Sequence, residues 1–166
     1  MSATLEDPSV SQTPTTKTFQ PGKYLSFHLG AEMYGISVNH IREIIRMQPI
    51  TPVPHRPEYV KGIMNLRGKV IPVIDMRLKF AIGEDTFDER TCIVVVMVED
   101  HERQESTAGL IVDAVDEVMR IQEDDFESDP SVGNSQTTAH VIGLAKTKGN
   151  LISLLDIDKV VVEESF

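Results

Sequence analysis

The sequence predicts a mainly β fold of small barrels with short helices, and three observations carry that reading. First, residues 60–75 (VKGIMNLRGKVIPVID) recur as residues 141–156 (VIGLAKTKGNLISLLD) at a constant offset of 81, sharing Val60/Val141, Gly62/Gly143, Gly68/Gly149, Ile71/Ile152 and Asp75/Asp156. Type is kept at Arg67/Lys148 and Val70/Leu151. Upstream, residues 35–44 (GISVNHIREI) parallel residues 109–118 (GLIVDAVDEV) through the glycines, the aliphatics and Glu43/Glu117. Second, aromatics make up 5% of the chain and Trp is absent, so the core must be built from Val, Ile and Leu, of which the β-branched members favour strands. Third, turn signals fall every eight to twelve residues, the spacing of small all-β barrels.

Two copies are too few for a stacked solenoid. They imply two similar modules, over 19–88 and 89–166, preceded by a flexible tail over 1–18 whose Ser, Thr, Pro and Gln cannot bury enough surface to offset the entropy of ordering. Modules of this size are marginal alone. Shared burial predicts one inseparable two-lobed body.

Along the chain, residues 24–29 alternate in a β manner, 29–32 form a turn and 33–37 return, which makes a hairpin. Val38, Ile41 and Ile45 then fall at i, i+3 and i+7, predicting a short helix over 38–45 capped by Ser37. Pro49, Pro52, Pro54 and Pro57 each lack a backbone donor, so that stretch reads as an exposed, extended loop. Strands over 60–66 and 70–74 follow, joined through 67–69 with Gly68 supplying a positive φ. Asp75 caps a short helix over 76–80. In the second half, 91–98 and 107–112 form a hairpin across the charged loop 99–106, 117–121 adds a strand, and 140–146 and 151–155 repeat the earlier pair. Asp156 caps a closing helix that runs to about residue 162.

Composition excludes several function classes. Cys92 is the single cysteine, so neither an intrachain disulfide nor a zinc cluster forms; in CIVVVMV it reads as a packed core thiol. No apolar stretch reaches the roughly 18–20 residues a bilayer requires, and no secretory signal is visible, which fits a cytoplasmic protein without direct membrane insertion. Net charge is −10, split unevenly: residues 17–79 hold ten Lys/Arg and four Asp/Glu, residues 80–166 six and twenty. Either a solvated surface has drifted or the halves meet different partners. Nucleic acid is a poor candidate, because the pI is acidic and the basic half lacks interleaved aromatics.

Catalytic constellations are missing. Asp75 and Asp156 suggest a two-carboxylate dyad, but such dyads need small residues after each Asp, and the followers here are Met76-Arg77 and Ile157-Asp158. Helix caps account for both. The five histidines lack ligand spacing, no phosphate or dinucleotide loop is present, and Glu123-Asp124-Asp125 lacks the glycine and spacing of a calcium loop. The reading is a non-enzymatic binding body with no cofactor and no metal; a small two-lobed β hydrolase is the remote alternative.

The segment KGIMNLRGKVIPVIDMR (61–77), with YGISVNHIREI from Tyr34, AGLIVDAVDEV from Ala108 and LISLLDIDKVV from Leu151, resembles the CheW family of bacterial chemotaxis coupling proteins, over nearly all of 20–162. The resemblance implies two interlocked five-stranded SH3-like barrels related by a pseudo-twofold axis. It implies a scaffold that joins the cytoplasmic tip of chemoreceptors to the regulatory domain of the histidine kinase CheA, in arrays at the inner face of the membrane, with contacts between CheW copies in rings also open. A CheW-like scaffold of a paralogous motility or second-messenger array is the alternative. By the same resemblance, Glu43 of the E-I dipeptide and Arg67 of the N-L-R-G turn lie close enough to interact and border the partner surface. Ile41 and Val118 match positions implicated in receptor coupling, with core packing as the rival reading. Gly62, Gly68 and Gly109 match glycines that support turns or close strand contacts.

Overall fold

The alternating segments form strands, and the computed structural model describes residues 19–82, 87–99, 102–128 and 140–162. The expected tail over 1–18 lies outside them, as do 100–101 of the charged loop. Strands β1 (Gly22–Leu29) and β2 (Glu32–Ser37) make the first hairpin, in register from Tyr24 opposite Ser37 to Leu29 opposite Glu32.

The helix expected over 38–45 is absent. Residues Val38–His40 form a single 3-10 turn, capped by the Ser37 hydroxyl, which accepts from the Asn39 N–H at 3.2 Å; Ile41–Arg46 is then strand β3. Helical spacing of Val38, Ile41 and Ile45 coincides with strand spacing of Ile41, Glu43 and Ile45, all half-buried, while Arg42, Ile44 and Arg46 face out. Pairing with a neighbouring strand decides between the two periods, because three β-branched isoleucines fit a pleated surface better than a helix.

The proline-rich stretch runs extended and touches the sheet once, at a bridge between Thr51 and Ile63. Strands β4 (Val60–Leu66) and β5 (Lys69–Asp75) follow, and Asp75 caps helix α1 (Met76–Lys79) by accepting from the Arg77 N–H at 3.0 Å. The second half supplies β6 (Cys92–Glu99), β7 (Glu105–Val112) and β8 (Ala114–Ile121), so the strands run further into the charged loop than their composition suggests. A two-residue strand β9 (Phe126–Glu127) is too short to leave a periodic signal. Strands β10 (Val141–Thr147) and β11 (Asn150–Leu155) and helix α2 (Ile157–Val162) close the chain; Asp156 accepts from the Lys159 N–H at 3.3 Å. Among the described residues no helix is long and apolar enough to cross a membrane.

The strands assort into two sheets, ordered β8-β1-β2-β11-β10-β9 and β3-β6-β7-β5-β4. The two repeats exchange hairpins: β1–β2 joins the strands of the second copy, and β6–β7 joins those of the first. The exchange is symmetric. Parallel contacts bring Gly35 of β2 opposite Leu154 of β11 and Gly109 of β7 opposite Val73 of β5, repeat-related pairs in each case. Fold and repeat thus agree on two interlocked SH3-like barrels.

Each sheet encloses a small core. One gathers Tyr24, Met119, Ile152 and Leu154; the other gathers Met64, Ile71, Val73, Ile93, Val95 and Ile111. A third and larger core lies between the sheets, where Phe27, Leu29 and Tyr34 meet Val94, Val96 and Leu110 under Met76 of α1 and Val160 of α2. Burying one such side chain stabilises by about 1.5–3 kcal/mol. Separating the sheets would expose this central layer on both.

Candidate functional site

The β4–β5 hairpin closes in two residues, Arg67 (φ 54°) and Gly68 (φ 84°), both left-handed, the geometry whose twist matches the flanking strands. Gly68 adopts it without a steric cost, while Arg67 bears one. The turn is pinned by the Gly68 N–H donating to Asn65 Oδ1 at 2.8 Å. It thereby holds the Arg67 guanidinium against strand β3. There Arg67 donates from both terminal nitrogens to the Glu43 carboxylate, Nη2 to Oε1 at 2.9 Å and Nη1 to Oε2 more closely. The expected proximity of the two residues is therefore present. The hydrogen bonds from Arg67 hold the Glu43 carboxyl below its ordinary pKa, and the same bonds raise that of Arg67.

The arrangement occurs twice. Lys148 (φ 54°) and Gly149 (φ 78°) form the β10–β11 turn, and Lys148 Nζ lies 3.3 Å from Glu117 Oε1 on β8. Glu43/Glu117 and Arg67/Lys148 are repeat-related, so each barrel carries an acid on one strand paired with a base on the hairpin turn. Exposed aliphatics accompany both pairs: Ile44 (44%) and Val70 (59%) on the first barrel, Val118 (53%) and Leu151 (53%) on the second. These four are also repeat-related. An exposed pair of this kind contributes little to folding.

The other expected residues fall in different places. Ile41 is half-buried and packs on the central core, while Val118 stands exposed. At Gly62 (φ 142°) a Cβ would lie 2.0 Å from the Thr51 carbonyl oxygen, so the approach of the proline-rich stretch requires glycine. At Gly109 a Cβ would meet Ile93 Cγ2 at 2.8 Å. Asp75 and Asp156 are buried at the starts of α1 and α2. Asp75 does more than cap: Arg77, 1% exposed, donates to it from Nε (3.1 Å) and Nη2 (3.0 Å), and to Asp113 Oδ1 at 3.0 Å. Asp113 is the single residue between β7 and β8, where the chain passes from one sheet to the other, and its Oδ2 accepts from the Gly30 N–H at 2.6 Å. Cys92 packs against the central core, and burial pushes its thiol pKa up. Among the described residues no group of three or more His, Cys, Asp or Glu is placed to hold a metal ion.

Reading residues singly misses Ile44, Val70, Glu117, Lys148 and Leu151. The repeat finds Ile44, Glu117 and Lys148, each of which aligns with a residue already singled out; Val70 and Leu151 align with each other, and only their exposure marks them.

The family described as CheW-like domain matches residues 23–165. Chemotaxis protein CheW of Thermotoga maritima is 36% identical over 145 residues, covering 84% of this chain and 87% of that protein. Chemotaxis protein CheW of Bacillus subtilis is 31% identical over 143 residues, covering 86% and 88%. The crystal structure of the scaffolding protein TtCheW from Thermoanaerobacter tengcongensis superposes with a TM-score of 0.72 at 40% identity, covering 82% of this chain and 89% of that one.

Proposed function

The chain belongs to the CheW-like family, whose members are non-enzymatic coupling scaffolds of chemotaxis, and from that premise we propose that it joins the cytoplasmic tips of chemoreceptors to the regulatory domain of the kinase CheA. In this reading 19–88 and 89–166 are the duplicated modules, Glu43, Arg67 and Val118 border the partner surfaces, and Ile41 supports β3 from behind. The protein works at the inner face of the membrane, in arrays where contacts between its own copies are also open, and nucleic acid is not a partner.

The observation that carries the reading is the bidentate Arg67–Glu43 pair, held in the open by a turn that bears a steric cost at Arg67. Docking that covers the pair with an apolar surface removes water from it and strengthens its interactions. Calorimetric binding of the full chain to the CheA regulatory domain of the same organism, with and without a receptor tip fragment, tests it. Saturable binding to both is expected, weakened by Arg67→Ala or Glu43→Ala in variants that still melt cooperatively. Absence of binding to either overturns the assignment.

A further inference from the structure

Where β3 ends, the burial of the chain changes period. Along β3 it alternates residue by residue, with Ile41, Glu43 and Ile45 half-buried and the residues between them exposed. Beyond β3 it repeats every three residues: Met47, Ile50 and Val53 turn inward, and the two residues after each are exposed. Three residues per turn is the period of the polyproline II helix. The side chains dictate that backbone. Pro49, Pro52 and Pro54 fix φ at about −65°, and each holds the residue before it in the extended region. The run stops at His55, whose φ of 63° turns the chain.

The first barrel fixes this segment in place. Met47 and Ile50 pack against its core, and Thr51 and Ile63 of β4 exchange backbone hydrogen bonds at 2.8 and 2.9 Å. The same approach of Thr51 is what requires glycine at position 62. With one edge of a three-sided rod buried, the other two face water. Arg46, Pro49 and Pro52 stand three apart along one of them, all exposed.

Proline has no N–H, so this ridge offers apolar rings and carbonyl acceptors but few donors. A complementary groove supplies aromatic faces for the rings and N–H or O–H donors for the carbonyls, which Tyr and Trp combine in one side chain. The Arg46 guanidinium at the leading end calls for a carboxylate. We propose that residues 46–52 are a preformed docking ridge for a partner protein whose groove is lined by Tyr or Trp and flanked by Asp or Glu, the mode in which SH3 domains take proline-rich ligands. The ridge goes beyond the coupling function proposed above and does not rest on it. Because the fold sets the backbone in advance, docking orders little that was free.

The probe is an isolated SH3 domain that takes ligands with a basic residue three positions before the first of two prolines spaced three apart. Titrated into the full ¹⁵N-labelled chain, it should bind saturably, with amide shifts centred on 46–52. Arg46→Glu and Pro49→Ala should each raise Kd about tenfold, while Pro57→Ala, outside the ridge, leaves it unchanged. Thermal melting checks each variant, and Arg46→Glu, at an exposed position, decides the matter where Pro49→Ala loosens the fold. Absence of saturable binding, indifference to Arg46→Glu, or shifts centred elsewhere overturns the inference. The kinase and receptor titrations read the coupling function separately, so each can fail without the other.

Discussion

At the scale of single residues, the Glu43–Arg67 pair and the two buried aspartates make opposite uses of charge. Glu43 has a depressed folded pKa, so the pair contributes fully above the ordinary Glu pKa of about 4.3 and is lost as pH falls through the lower folded value. Partner affinity measured against pH should therefore hold down to the ordinary Glu pKa of about 4.3 and fall below it, and Glu43→Gln should remove that fall. Asp75 and Asp156 occupy equivalent positions in the repeat yet should respond differently to truncation. Asp156→Ala removes a cap, at about 1 kcal/mol. Asp75→Ala also strips a carboxylate from the buried Arg77, at about 3–5 kcal/mol. Urea denaturation of the two variants checks the contrast. The caps are legible in the sequence because a cap is local. The Arg77–Asp113 bridge is not, because its partners lie 36 positions apart and only the fold brings them together.

At the scale of elements, the turn residues of β4–β5 separate stability from function. Asn tolerates the left-handed backbone that Arg67 adopts, so Arg67→Asn should stabilise the hairpin slightly while weakening kinase or receptor binding. Thermal melting and calorimetric binding on the same sample check both halves of that statement. The hairpins 24–37 and 60–75 are legible because alternation and turn chemistry act over a few residues. Strand β3 is not: its isoleucines fit two periods, and pairing with β6, distant in the chain, settles the choice.

At the scale of the molecule, hairpin exchange makes the halves interdependent. Fragments 1–88 and 89–166 should each be unfolded alone and recover β structure on mixing, since each sheet needs strands from both. Circular dichroism of the fragments, separate and combined, checks this; a fragment that melts cooperatively alone would contradict it. The sequence by itself determined the duplication, the β class, the proline-rich loop, the caps and the left-handed turn at Gly68, because periodicity, φ preference and capping act within a few residues. The tertiary structure alone decided which hairpin joins which sheet, that Ile41 turns inward while Ile44 and Val118 face water, and that the second barrel repeats the acid–base pairing through Glu117 and Lys148. Those outcomes depend on contacts between residues distant in the chain, whose energies no local pattern records.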